Sequence, residues 1–542
     1  MPRKSDTDIG PEPRGDDSWT RWCGELLVIL VIFAAAGCWP VPDVNETAYL
    51  TKARHHADPN WARGDFFLET PDAHGVFYML VGPLAAALPL EQAAWIGRWL
   101  GWLAVAAGFR HAVAPLLVAS WPRLLAAAIF SLAVRHTPAA GEWVLGGCEA
   151  KVFAWALVLV AVGEIARARL PWAVLALGAA TAIHPLVGGW GLVALVGAMT
   201  MPAGRPRGAA RMKPDDLAGA LAISIGLLLA AAGVGPALWL SGGAEAATRA
   251  EAARIYVVER LPHHLLVRTF ADGFVARHVL AVLAWWLLAA TRPSAPEPMQ
   301  AARTRAYGFC AAAVVISLAG CAISLAEPVA PAAVHGLLRF YWFRLADILV
   351  PLALAVAAAA VVSDGALLGR LVPVRPAVAR WILAALLCLD LVHESRHWPL
   401  PGRAAVAARS DGKVDATAWR DACDWIAKHA PADACVLTPR GASSLTWWTG
   451  RREVVAWKNS PQDAASLVEW RRRIADCFSR DGGFANLERS TAALGAERMR
   501  LVAAKYGATH AVVPLDLPAV ADLPFERLHS NRGYAVLRLT PD

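Results

Sequence analysis

The stretch LLVILVIFAAAGCWPVPDVNETAYLTKARHH, Leu26–His56, changes character at Trp39. Up to Trp39 no side chain is charged. Beyond it Asp43, Glu46, Lys52, Arg54, His55 and His56 arrive in close succession. This reads as a membrane helix that opens directly onto a polar loop. The loop is either a solvated connector or one wall of an active site held at the bilayer surface.

The rest of the chain fits the first part of that reading. Its 542 residues are 57% hydrophobic and only 18% charged, and the apolar residues come in blocks. Runs of about 18 or more apolar residues read as spanning helices. The predicted fold class is a polytopic α-helical membrane protein of about eleven spans. They lie near 22–39, 93–118, 122–135, 152–166, 170–183, 186–201, 217–240, 275–291, 307–325, 341–362 and 380–394. HGVFYMLVGPLAAALPL, His74–Leu90, is a further apolar stretch broken by Gly82, Pro83 and Pro89. It is expected to lie along the membrane or enter it only in part.

Lys and Arg in the short loops set the orientation. With the N-terminus inside, the inner segments are the tail 1–21 with Arg3, Lys4, Arg14 and Arg21, then Arg123, and RAR at 167–169. RPRGAARMK at 205–213, the stretch 292–305, and the segment with Arg370, Arg375 and Arg380 complete the set. The net charge of +8 is therefore a topology signal and not a nucleic-acid footprint. An odd number of crossings leaves the C-terminus outside.

The apolar blocks stop near Gly402. WRDACDWIAKHAPADACVLTP reads as an amphipathic helix followed by a strand, RLVAAKYGATHAVVPL repeats the pattern, and GYAVLRLTP reads as a last strand. Residues 402–542 are thus expected to form a small extracytoplasmic α/β domain, following the spans and loops of 22–398. Three of the nine cysteines, Cys423, Cys435 and Cys477, fall in it, so one disulfide with a thiol left over is possible.

With this topology the polar residues gather at one face. The first outer loop at 40–75, RHTPAAGEWVLGGCEAK (135–151), ERLPHHLLVRTF (259–270) and HGLLRFYWFRLAD (335–347) all lie outside. His184-Pro185 interrupts an apolar stretch at its outer turn. Ionisable groups at membrane depth are costly unless paired or facing a cavity. Arg344 and Asp347, about one helical turn apart, can pair.

A carboxylate just after the first helix, a long polar first outer loop, many spans and an outer C-terminal α/β domain together resemble the GT-C superfamily of membrane glycosyltransferases. PDVNETAYLTKA is similar to the acidic-then-Tyr stretch that opens this loop in the protein mannosyltransferase and aminoarabinose transferase branches. DFFLETPDAHGVFYML resembles their downstream Asp/His segment, although AHGVF stands where His-Pro-Pro is usual. The resemblance implies an inverting transfer of a sugar from a polyprenyl-phosphate donor, at the outer face of the bacterial cytoplasmic membrane. The acceptor stays unknown. No cofactor is implied, and a divalent metal stays open.

The residues suit that chemistry in their own right. A lipid-phosphate sugar already carries a good leaving group, so the reaction needs a carboxylate to take the acceptor's proton. It also needs cations to hold the phosphate as charge develops there. Glu46 or Asp43 suits the base; a helical turn would place both on one face. Lys151, Arg260, His263, His264, Arg339 and Arg344 are candidate phosphate binders, with Glu149 and His184 beside them. Plainer readings compete: Asp43 and Glu46 as only a solvated helix exit, Glu149 and Lys151 as an ion pair at a helix start, and His184 as a partner for a carbonyl freed by proline. Two other functions also compete. A secondary transporter would show internal repeats and midplane charges. A non-catalytic polytopic protein could bind a partner through its outer domain.

Overall fold

The computed structural model describes residues 15–200, 217–371, 375–401 and 406–539. The basic residues at 3, 4 and 14, the RPRGAARMK segment, the first residues of the expected C-terminal domain and the C-terminus itself lie outside the described residues.

Each of the apolar runs forms a helix. Five are long and apolar enough to cross a membrane: Trp19–Gly37, Leu217–Leu240, Glu297–Leu325, Arg344–Ser363 and Pro376–His397. Leu170–Ile183, Pro185–Thr200 and Phe274–Ala290 are shorter apolar helices. Leu90–Val113, Ser120–His136 and Ala150–Ala166 complete the bundle. The protein is a multi-span helical membrane protein. Small residues let its helices approach closely, as is usual where lipid removes the hydrophobic drive between helices. A Cβ on Gly178 would sit 1.9 Å from the Gly226 carbonyl oxygen, so Leu170–Ile183 and Leu217–Gly242 cross backbone to backbone. Phe33, Phe109 and Phe130 fill the interior with fully buried rings, Phe33 edge-on to Phe109 and Phe130 tilted against both.

The stretch expected along the membrane is the helix Gly75–Ala87, with Pro83 inside it. It packs on the polar helix Glu46–Ala57. At the opposite end of the bundle, Glu25 pairs with Arg110 at 2.9 Å and Arg123 at 3.0 Å, while His111 meets Glu164 at 2.6 Å. At the same end Arg303 and Arg305 donate to the backbone carbonyls of Leu116 and Ala166.

The C-terminal part is built on a five-stranded sheet of order β2-β1-β3-β5-β4. Its strands are β1 (Cys435–Leu437), β2 (Arg452–Glu453), β3 (His510–Pro514), β4 (Glu526–Ser530) and β5 (Tyr534–Arg538). β1 runs parallel to β2 and β3, and β5 is antiparallel to β3 and β4. Alternate strand residues face opposite layers. Val436, Val512 and Val536 pack with Trp419 and Ile426 of helix Ala416–His429. Leu437, Val513 and Leu537 pack with Trp470 and Ile474 of helix Ala464–Phe478. Asp415 and Asp463 cap these two helices by accepting from Ala418 N and Ser466 N.

The sheet is not insulated from the rest of the chain. Ala252 and Ile255, from the segment before Arg260, belong to the same core as Trp470. The core of the sheet unit thus takes residues from the membrane part as well as from the C-terminal part. Cys423, Cys435 and Cys477 are buried free thiols, so the disulfide that their number allowed does not form.

Candidate functional site

The first loop answers its own question in an unexpected way. Glu46 opens the helix Glu46–Ala57 and is fully buried, as is Arg98. Arg98 Nε donates to Glu46 Oε1 at 2.7 Å, and Nη2 donates to Oε2 at 2.7 Å. Backbone N–H groups of Cys148 and Asp43 donate to the same carboxylate, each at 2.7 Å. The approach requires glycine at 147, where a Cβ would lie 2.7 Å from Glu46 Cγ. Every lone pair that Glu46 could offer a proton is in use. Asp43, which precedes the helix instead of sharing a face with Glu46, is equally buried and is held by Arg409 through Nε at 2.6 Å and Nη2 at 2.5 Å. Burial pushes its carboxyl up, but Arg409 outweighs burial and holds it below the usual range.

A cavity of about 290 Å³ opens instead on the other side of the Glu46–Ala57 helix, between the first loop, the 140–151 segment, residues 256–264, residues 339–347 and the sheet unit's 458–467 segment. Of the residues singled out by sequence, Lys151, His184, Arg260, His264, Arg339 and Arg344 line it. Asp43, Glu46, Glu149 and His263 do not. His263 instead packs tilted against His264, with ring centroids 4.1 Å apart.

One side of the cavity carries carboxylates. Glu142 sits between Arg344 Nε at 3.0 Å and Lys151 Nζ at 3.6 Å. Burial pushes its carboxyl up, and Arg344 and Lys151 bring it below the ordinary value. Arg344 does not pair with Asp347, as their spacing allowed. Asp347 is buried and accepts instead from the backbone N–H groups of Ala139 at 2.6 Å, Ala140 at 3.1 Å and Glu142 at 3.1 Å. It thereby pins the loop that presents Glu142. Asp72 accepts from His74 Nδ1 at 2.7 Å and lies 3.5 Å from Lys52 Nζ. Burial raises its carboxyl, but Lys52 and His74 overcome this and leave it well below the usual range. Just behind the cavity wall, Glu149 accepts from Asn45 Nδ2 at 2.9 Å and lies 3.5 Å from Lys151, while burial pushes its carboxyl up.

The other side carries cations. Arg260 is buried, donates through Nη2 to the Lys458 carbonyl at 3.0 Å, and leaves Nε without a partner. Lys458 comes from the sheet unit, and burial together with Arg260 pushes its ammonium down to about 7. Arg339 lies beside them. Among the described residues, none of the three has a carboxylate within ion-pair distance. The hydroxyls of Tyr256 and Tyr341 meet at 3.1 Å across this side. Tyr341 holds φ at 56°, a left-handed conformation that is costly for an aromatic residue and that clusters at functional sites. Burial lowers His264 to about 3, so it stays neutral beside these cations.

Sequence reasoning missed Lys458, Glu142 and His74 as site residues. Nothing local marks Lys458, a single lysine in the AWKNS turn. The DAH of the first loop was visible, but not that it would face a cavity. Among the described residues no cluster of three His, Cys, Asp or Glu side chains is placed to hold a metal ion.

Residues 417–477 match the model of the family described as Domain of unknown function (DUF6798). No curated protein matches the chain. Two solved enzymes are similar to it over most of its length. ArnT from Cupriavidus metallidurans, bound to undecaprenyl phosphate, is 15% identical with a TM-score of 0.37, covering 97% of this chain and 99% of that one. The archaeal oligosaccharyltransferase AglB from Archaeoglobus fulgidus, in complex with an inhibitory peptide and a dolichol-phosphate, is 13% identical with a TM-score of 0.42, covering 92% and 70%.

Proposed function

We propose that the protein is a membrane glycosyltransferase that moves a sugar from a polyprenyl-phosphate donor to a hydroxyl acceptor on the outer face of the membrane, with inversion. One observation carries the reading. Arg260, Arg339 and Lys458 line one side of a cavity, none of them with a carboxylate within ion-pair distance among the described residues, whereas Arg98, Arg110, Arg344 and Arg409 each meet one. Arg260 is buried and the other two are half-buried, and an unpaired cation held out of water is costly, so this arrangement suits an anion brought from outside. The opposite side is acidic, which suits the proton taken from an acceptor hydroxyl. The acidic-then-Tyr and Asp/His stretches of the first loop support the same assignment.

In this reading the donor phosphate sits between Arg260, Lys458 and Arg339, which stabilise the charge that grows on it as the sugar leaves. The acceptor oxygen attacks the anomeric carbon from the acidic side, and its proton passes to that side. A single displacement gives inversion. Lys151 and Arg344 are occupied in holding Glu142, and we assign them to building the acidic wall instead of binding phosphate. Glu46 and Asp43 become anchors of the first loop. We place the sheet unit outside the membrane, covering the site.

The test uses the purified full chain with farnesyl phosphate and farnesol as short probes, read by tryptophan fluorescence, followed by a panel of labelled polyprenyl-phosphate sugars. Farnesyl phosphate is expected to bind at least tenfold more tightly than farnesol. Lys458→Met and Arg260→Met are each expected to weaken it by about 10–100-fold, the loss of one charge-assisted hydrogen bond. Equal binding of both probes would remove the anion site and the proposal with it.

A further inference from the structure

Within the acidic wall, one side chain differs from the rest. Glu142 is held between Arg344 and Lys151, Asp347 accepts from three backbone N–H groups, and Glu149 lies behind the wall. His74 lines the cavity with Nδ1 2.7 Å from Asp72 Oδ1, while its Nε2 makes no hydrogen bond to any described residue. A carboxylate on Nδ1 and a free Nε2 is the arrangement in which an imidazole accepts a proton at Nε2 and the resulting imidazolium is stabilised.

The ring is held from several sides. Asp72 also accepts from the His74 backbone N–H at 2.9 Å, which fixes the turn entering helix Gly75–Ala87. Gln462 Oε1 accepts from Ala73 N at 3.1 Å, and its amide nitrogen lies 3.1 Å from His74 Nδ1, a packing contact and not a hydrogen bond when Nδ1–H donates to Asp72. The His184 ring packs edge-on at 4.8 Å, and Tyr49 at 5.3 Å. The charged and titratable groups facing it are Asp72, with Lys52 behind, His184, Tyr49 and Tyr78. A helix-start histidine needs only the Asp72 turn. It does not need a clamp from the sheet unit and an open Nε2 in a cavity.

We infer that His74 is the general base of the transfer and that Asp72 is its positioning residue. The inference rests on the glycosyltransferase reading and deepens it. The step balances as follows. The acceptor oxygen forms the new bond to the anomeric carbon as its O–H bond breaks, and that proton goes to His74 Nε2. The bond from the anomeric carbon to the phosphate oxygen breaks, and its electron pair leaves on the lipid phosphate. The imidazolium then releases its proton to water.

The experiment measures turnover of labelled polyprenyl-phosphate sugars by the full chain, with farnesyl phosphate binding as the control for folding. His74→Ala and His74→Asn are expected to bind farnesyl phosphate within about twofold of wild type and to turn over about 10²–10⁴-fold more slowly. Added imidazole is expected to restore part of the His74→Ala rate, because the substitution leaves a hole in the cavity wall. Asp72→Asn is expected to bind farnesyl phosphate normally, to turn over more slowly, and to shift the acid limb of the pH profile, which wild type shows and His74→Asn lacks. Full turnover by His74→Asn with intact probe binding would overturn the base assignment and leave the glycosyltransferase reading standing. So would loss of turnover in His74→Ala that imidazole never restores, together with an unchanged acid limb in Asp72→Asn. No turnover of any sugar lipid by wild type would overturn both.

Discussion

Changing Glu46 to Gln separates two roles for the residue that opens the first loop. Both Glu46 and Arg98 are fully buried, and the guanidinium is bidentate on the carboxylate. Removing one charge from such a pair leaves the other uncompensated, at a cost of about 3–5 kcal/mol. Asp43 lies close enough to feel Arg98, so the lower end of that range is expected. With 542 residues and an unfolding entropy of about 2.1 cal/mol/K per residue, the midpoint should fall by about 3 °C. The assay is thermal unfolding of the purified variant in detergent, beside Arg98→Met and the double variant. The double variant should recover most of the loss, since replacing both ions with neutral groups leaves no buried charge unpaired. Turnover per folded molecule should stay within a few-fold of wild type. An unchanged midpoint with a fall in turnover of about 10²–10⁴ would refute this reasoning and make Glu46 the base.

Three further outcomes follow from the same interactions. Lys458, lowered to about 7, binds an anion in its protonated form, so farnesyl phosphate affinity should decline as pH rises through about 7; Lys458→Arg, always charged, should flatten that part of the profile. Burial raises Glu453, behind the Asp65 contact of the first loop, to about 8. The folded state keeps a proton that the unfolded chain releases near 4.5, so the stability of this junction should be full below that pH and fall as pH rises through about 8, and Glu453→Gln should abolish the decline in the unfolding midpoint. Arg409→Ala leaves Asp43 buried without its cation, but Arg409 is 29% exposed, so water softens the loss. A cost of about 1–3 kcal/mol is expected, visible as faster proteolytic release of the sheet unit.

Much of the architecture was legible along the chain because it depends on local patterns. The apolar blocks, and the switch to amphipathic helix and strand patterns after residue 400, are fixed by which residues are neighbours in sequence. Helix Ala496–Tyr506 with β3, and β5 after it, lie where those periods put them. β2 is two residues long and exists only because it pairs with β1, so no period announced it. The gathering of ionisable groups on a few loops was also readable, since charge near a span has few places to go.

What each of those groups does was decided by the tertiary structure. Sequence places Asp43 and Glu46 at the helix exit, but Arg98 and Arg409, 52 and 366 residues distant, neutralise them. Arg344 and Asp347 are one turn apart and could pair, yet each meets a better partner in the loop between residues 139 and 142. Lys458 acquires meaning only when the sheet unit folds back over the bundle and sets it beside Arg260. The physical reason is that a charge in a buried site is governed by the partners within a few ångströms, and in this fold those partners come from distant parts of the chain.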